Sequence, residues 1–390
     1  MDDDLFIKQK SQRIDHIHII TPNYPLKRFP ERGVFVESLV REWQASGVKC
    51  SITAPTSLSV LARSSKFPKK KTVFAGDHIK RPVYLSFSDR NIFGLESQEL
   101  NLVMFYRTVM RTISRQTLPD VYYGKFYSGA IAAFKAKEKF AIPAFADFGQ
   151  SRFYWNRNQK AFAYAKEIIS KLDGAVCVSE DLVVEMKLLG LPEERILLAP
   201  NEVNIDHFRP LDRDACRKKL SLPTDHFIVV FVGHFLEAKG PLRVLAAIER
   251  LGHNNISAVF LGRGKQKPES KQTLHIGSVP RDELPVWLNA ADVFMLPTET
   301  EGSCNAINEA LSCGLPVISS DISNVSKQVP PSSSILVNPH DITELSRALF
   351  MVYESEDVRS TMSKAALTIR QKQSATNRAN RILEWMSSIL

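Results

Sequence analysis

The sequence predicts an α/β protein with two doubly wound halves, each built on a parallel sheet. Three observations lead there. Short apolar runs alternate with amphipathic ones along most of the 390 residues, the rhythm of βαβ units. A chain of this length exceeds one ordinary core, which makes two domains the default. The alternation also restarts after a polar, Pro-containing and charge-dense stretch, HFRPLDRDACRKKLSLPTD (207–225), where the domain junction is placed.

The elements follow in order. IDHIHIIT (14–21) reads as the first strand. GVFVESLVREWQASG (33–47) places Val36, Leu39, Val40 and Trp43 at helical spacing, and Gly47 closes the helix. VKCSIT, DVYYG, IPAFA and GAVCVS continue as strands, with YSGAIAAFKAKEKF as a helix among them. NLVMFYRTVMRTISR (101–115) carries an apolar stripe of Leu102, Tyr106, Val109 and Ile113, flanked by Arg107, Arg111 and Arg115. In the second half FIVVFVG (227–233) is a strand, KGPLRVLAAIERLG a helix, ISAVFLG a strand, and DELPVWLNAADVFMLP a helix leading into a strand. Ligands of such sheets sit at the carboxyl ends of strands, so two facing sheets would hold one in the cleft between them.

Composition excludes several classes. At 44% hydrophobic and 24% charged the chain is that of a globular protein. No run approaches about eighteen apolar residues, so no transmembrane helix is expected. MDDDLFIKQKSQR lacks the layout of a signal peptide, and a cytoplasmic location is expected. The five cysteines, Cys50, Cys177, Cys216, Cys304 and Cys313, form no C-x-x-C pair, so neither disulfides nor zinc are indicated. A net charge of +9 suits an anionic partner. Nucleic acid is not expected, because no aromatic-basic platform or known module accompanies the charge.

The phosphate-binding motifs in the chain are incomplete. GHFLEAKG (233–240) misses the nucleoside-triphosphatase loop, with Ala238 for its second glycine and Gly240 for its hydroxyl. LGRGK (261–265) opens like a dinucleotide fingerprint but fails at Lys267. Asp212 and Asp214 form D-x-D among arginines and lysines, read as a solvated salt-bridging stretch.

TETEGSCNAINEALSCGLPVISS (298–320) is more informative. Asn305 or Ser303 would cap a helix starting near Ala306, with Ile307, Ala310 and Leu311 inward. Glu301 then lies in the preceding loop and Glu309 about one turn inside the helix. N–H groups of the loop and first turn would point outward as an anion site. Such a layout suits a sugar nucleotide, with diphosphate on the helix N-terminus and hydroxyls on the carboxylates. The bland reading makes both glutamates ordinary helix-terminus residues.

The stretch resembles the E-x7-E signature of family 4 retaining glycosyltransferases, the group 1 glycosyl transferases with the GT-B fold. Other segments agree in the family's order: GHFLEAKG is similar to its G-R-x-x-x-x-K-G turn and LLAPNEVNIDHFRP to its I-P-N-G-V-D-x-x-x-F-x-P segment. DGAVCVSEDLVVEM and HIGSVPRDELPVWLNAADVFMLPTETEG also match. TPNYPLKRFPERGVFVESLV resembles the first-domain loop and helix of members that build cell-surface polysaccharides. The resemblance implies two Rossmann-like domains facing across a cleft. An acceptor-side domain would span 1–207 and a nucleotide-sugar domain 208–374, with a final helix from about 375 to 390 packing back on the first.

It also implies roles. Lys239 would contact the donor diphosphate, Glu309 the ribose hydroxyls and Glu301 the transferred sugar, with the backbone of Gly302, Ser303, Cys304, Asn305, Ala306 and Ile307 meeting the phosphates. Gly233 and Gly262 belong to the same donor-binding set, and Gly33 would admit the diphosphate close to backbone. Glu301, Lys239 and His234 form the implied catalytic set, without metal or cofactor; a nucleoside-diphosphate sugar is the co-substrate. Two departures stand out. His234 replaces an arginine, exchanging a permanent cation for a titratable one. ADFGQSRF replaces a His-Gly pair, leaving Asp147, Phe148, Gly149, Gln150 and Ser151 near the sugar or acceptor. The expected activity is sugar transfer to a glycan or lipid-linked acceptor, with retention. The alternative is a non-catalytic sugar-binding protein on the same scaffold. The arginines of 101–115 and the lysines at 66 and 69–71 would meet an anionic membrane, at the inner face of the plasma membrane; the competing reading is a core helix with a basic edge.

Overall fold

The computed structural model describes residues 13–26, 32–62, 78–87, 91–92, 95–149, 159–201, 203–370 and 374–390. The chain divides into two compact units, Met1–Pro200 with Ala379–Leu390, and Asn201–Arg378.

The first unit holds a seven-stranded sheet ordered Ile196–Leu198, Gly174–Cys177, Ala144–Phe148, Val121–Lys125, His16–Ile20, Lys49–Thr53, His78–Lys80. All its pairings are parallel. Side chains alternate across a strand, and the sheet is covered on both faces. Ala144, Ala146 and Phe148 enter one core while Phe145 enters the other, with Val121 and Tyr123. The Val34–Ala45 helix buries Val36, Leu39, Val40 and Trp43, the four positions at helical spacing. Trp43 donates its indole N–H to the Ala379 carbonyl at 3.0 Å. The Ala375–Ile389 helix adds Ala379, Ile382 and Met386 to the same core.

The Ser97–Ile113 helix corrects part of the basic-stripe reading. Phe105, Val109 and Ile113 are buried, and Leu102 and Tyr106 pack against that core. The apolar stripe is therefore consumed inside the unit. Arg107 and Arg111 stay exposed, while Arg115 lies beyond the helix end. The lysines at 66 and 69–71 lie outside the described residues.

The second unit holds six parallel strands ordered Thr273–Gly277, Ile256–Leu261, Phe227–Val232, Val293–Leu296, Val317–Ser320, Ser334–Val337. The polar 207–225 stretch is part of this unit rather than a linker. Its Arg213–Leu220 helix is capped by the Asp212 carboxylate, which accepts from Ala215 N–H at 2.7 Å. Arg217 is 2% exposed and donates to Asp292 at 2.6 Å and to the carbonyls of Ala290, Thr224 and His226. Asp292 also accepts from Ile228 N–H and pairs with Arg213. Phe208 is fully buried in the second core. These contacts fasten the segment to the sheet, which is why the division falls upstream of it. Asp212 spends its carboxylate on the cap, and Asp214 is exposed.

Candidate donor-binding site

In the second sheet the order reverses between Phe227–Val232 and Val293–Leu296. A crevice opens outside the carboxyl ends of strands at such a switch point. The loops leaving these two strands carry Lys239 and Glu301. Lys239 ends a short 3-10 turn, Glu237–Lys239. Its Nζ lies 2.5 Å from Glu301 Oε1 and donates to the Thr300 carbonyl at 3.3 Å. Around them the two loops are laced together. Glu299 N–H donates to the Ala238 carbonyl at 2.8 Å, and Arg243 reaches Glu299 Oε1 and the Pro297 carbonyl. His234, in the Lys239 loop, is exposed.

The glycines nearby serve the protein's own backbone. A Cβ on Gly262 would stand 1.8 Å from the Gly233 carbonyl oxygen. One on Gly264 would stand 2.3 Å from that of Phe235. LGRG is thus a loop crossing beneath GHF, and its glycines let two chains touch. Gly33 behaves likewise in the first unit: φ is +71°, and a Cβ would meet the Asn23 carbonyl oxygen at 2.4 Å. At Gly33 the chain's own Asn23 backbone already comes close.

The signature helix spans Asn305–Ser312 and buries Ile307, Ala310 and Leu311. Its cap differs from the expected one. Cys304 occupies the N-cap position and makes no side-chain cap, because the helix begins one residue before Ala306. Gln328 takes over: its Oε1 accepts from Cys304 N–H at 2.9 Å, and its Nε2 donates to the Cys304 carbonyl and to Asn308 Oδ1. The Ser303 hydroxyl accepts from Asn201 N–H instead of capping. Asn201 donates back to the Ser303 carbonyl and accepts from Asn308. Asn324 donates to the Glu301 carbonyl at 2.9 Å. Asn201, Asn308, Asn324 and Gln328 were not singled out from the sequence. Asn201 and Asn308 carried a signal, as parts of the quoted LLAPNEVN and signature segments. The Cys304 thiol is pushed up by burial, so it stays neutral and inert.

Glu309 is 5% exposed, on the second turn of the helix. Arg281 Nη2 sits 2.9 Å from its Oε1. Burial pushes the Glu309 carboxyl above its ordinary range, and the Arg281 cation opposes this. Both signature carboxylates are therefore held by a base from another segment, Glu301 by Lys239 and Glu309 by Arg281.

In the first unit Asp147 and Phe148 have no exposed surface. Asp147 Oδ2 pairs with Lys125 Nζ at 2.6 Å and accepts from the Tyr123 hydroxyl at 2.7 Å. Phe148 lies in the apolar core. As direct sugar contacts these two side chains need correction, since the strand Ala144–Phe148 directs them into the two cores. Gly149 is half-buried. Gln150 and Ser151 lie outside the described residues.

A family model described as glycosyl transferases group 1 matches residues 212–368. Over 352 residues, 87% of this chain and 89% of the relative, the sequence is 30% identical to the putative teichuronic acid biosynthesis glycosyltransferase TuaC of Bacillus subtilis. The chain belongs to the group 1 glycosyl transferases. The transferase is also 22% identical over 342 residues to a D-inositol 3-phosphate glycosyltransferase of Kribbella flavida, covering 78% of this chain and 80% of that one. Among solved structures it is similar to sucrose-phosphate synthase from Thermosynechococcus elongatus, with a TM-score of 0.75, 16% identity and coverage of 94% and 97%. It is similar as well to Anabaena HepE in complex with UDP-glucose, with a TM-score of 0.73, 14% identity and coverage of 95% and 99%. The fold of the glycosyltransferase is GT-B. Among the described residues no helix is long and apolar enough to cross a membrane.

Proposed function

We propose that the enzyme transfers a sugar from a nucleoside-diphosphate sugar to a glycan or lipid-linked acceptor, with retention, in the synthesis of a surface polysaccharide or glycoconjugate. The carrying observation is the pair of signature carboxylates, each held by a base, one in the loop and one in the helix that follow Val293–Leu296 at the switch point of the second sheet. The name of TuaC, a teichuronic acid glycosyltransferase, supports the product class. HepE holding UDP-glucose supports the donor class.

In this reading the donor diphosphate displaces Glu301 from Lys239. One ion pair is exchanged for another, so the cation reaches the phosphates while the carboxylate is released toward the sugar hydroxyls. As the bond from the anomeric carbon to the phosphate oxygen breaks, charge grows on the leaving group. Lys239, His234 and the N–H groups of Ser303, Asn305, Ala306 and Ile307 stabilise it, the Cys304 N–H being held by Gln328. The acceptor oxygen bonds to the anomeric carbon on the same face, and its proton passes to the departing phosphate oxygen. Glu309 accepts from the ribose hydroxyls.

Incubation with a panel of nucleotide sugars and acceptor extracts, following nucleoside diphosphate release, tests the reading. One donor is expected to turn over with acceptor, and to keep turning over in chelator, because the cations at the diphosphate are side chains. Donor binding without release under any acceptor would refute transfer. Loss in chelator with rescue by magnesium or manganese would refute the metal-free reading.

We place the enzyme at the cytoplasmic face of an anionic membrane, with Arg107 and Arg111 as the contact. Each basic residue near anionic lipid contributes about 1 kcal/mol. Flotation at low salt should recover more protein with anionic than with neutral vesicles; equal recovery removes the idea.

A further inference from the structure

Glu309 is gripped by a closed circuit of contacts. Ser312, on the same helix, donates its hydroxyl to the Phe208 carbonyl at 2.6 Å. The Phe208 ring, fully buried, lies 5.2 Å from the Arg281 guanidinium. Arg281 returns to the helix through its 2.9 Å pair with Glu309 Oε1. His207 Nε2 adds a 3.3 Å contact to the Arg281 carbonyl. The Arg281 side chain is 38% exposed and the Glu309 carboxylate 6%. An arginine whose guanidinium meets both a buried ring and a buried carboxylate differs from a loose surface pair, which fixes neither partner. The pair takes one of roughly four lone-pair directions on the carboxylate, leaving room for two hydroxyls.

We propose that Arg281 is a positioning residue for donor recognition, holding Glu309 in the orientation in which its Oε2 meets the ribose diol of a nucleoside diphosphate. This rests on the donor reading above. The titratable groups facing Glu309 are Arg281 and His207, with Cys313 at the C-cap of its helix. Burial drives the Glu309 carboxyl up, and Arg281 is the principal counterweight. Without Arg281 the carboxyl takes up a proton at higher pH. A neutral carboxyl loses the charge-assisted bond to the diol, so nucleotide affinity must fall as pH falls.

The test titrates UDP and GDP, and their 2′-deoxy forms, into the full-length parent and the variants Arg281→Met, Arg281→Lys and Glu309→Ala. Because the terminal phosphate of the nucleotide titrates too, the quantity read is the variant-to-parent affinity ratio at each pH. For Arg281→Met the loss should be about threefold near pH 8 and at least about tenfold near pH 6. Its preference for ribose over deoxyribose should fall to that of Glu309→Ala, and Arg281→Lys should restore most of the pH tolerance. A merely structural arginine would shift affinity equally at both pH values and leave the sugar preference untouched; that outcome overturns the inference. A parent that binds neither UDP nor GDP overturns the donor reading, and this inference with it. A parent that binds both the same with and without Glu309 overturns the ribose contact alone among the donor contacts, and again this inference.

Discussion

Lys239→Ala should lower kcat/KM by at least about a hundredfold, the scale for removing one preorganised group that meets transition-state charge. Its ammonium is the permanent cation of the loop, already 2.5 Å from Glu301. The loss should fall mainly on kcat, because the charge matters most as the diphosphate departs. His234→Ala should cost less, since that ring is exposed and its charge is not permanent. Lys239 belongs to no apolar core, so the fold should survive, with the unfolding midpoint lowered somewhat because Glu301, 12% exposed, loses this partner. Steady-state kinetics by nucleoside diphosphate release decide the matter. A kcat/KM within about threefold of the parent would remove Lys239 from the reaction.

Asp147→Leu should destabilise the first unit by about 3–5 kcal/mol, because it removes the carboxylate paired with a buried Lys125 ammonium. Neither side chain is more than 1% exposed, and the Phe35 ring lies 5.3 Å from the ammonium. Pairing the change with Lys125→Met should recover most of that loss, since a buried ion pair replaced by apolar side chains is often neutral or stabilising. Urea unfolding of both variants provides the comparison. If the single change costs less than about 1 kcal/mol, the pair is not isolated from water in solution.

Much of the architecture was legible because it is periodic. Val36, Leu39, Val40 and Trp43 fall on one face at 3.6-residue spacing, and they are the buried residues of their helix. FIVVFV is an unbroken apolar run because both faces of a parallel sheet are covered, and it became the central strand at the switch point. The E-x7-E spacing likewise placed Glu301 before a helix and Glu309 within it. The role of the 207–225 stretch was less legible, for a complementary reason. Its charges looked solvated, but Arg217 and Asp292 neutralise one another in the core, and a linear pattern of charge does not show which ones meet.

Spacing along one chain segment settled the helices, the strands and the two carboxylates, since those properties depend on neighbours a few residues away. Which base holds each carboxylate came from elsewhere: Lys239 from one loop, Arg281 from the turn after another strand. The capping of the signature helix by Gln328, 24 residues from Cys304, is of the same kind. So is the turning of Asp147 toward Lys125. A side chain's charge and hydrogen-bonding capacity are written in its residue type, but its partner is set by which strands lie side by side. In a parallel sheet those strands are joined by crossovers of a dozen or more residues, and no local pattern spans that distance.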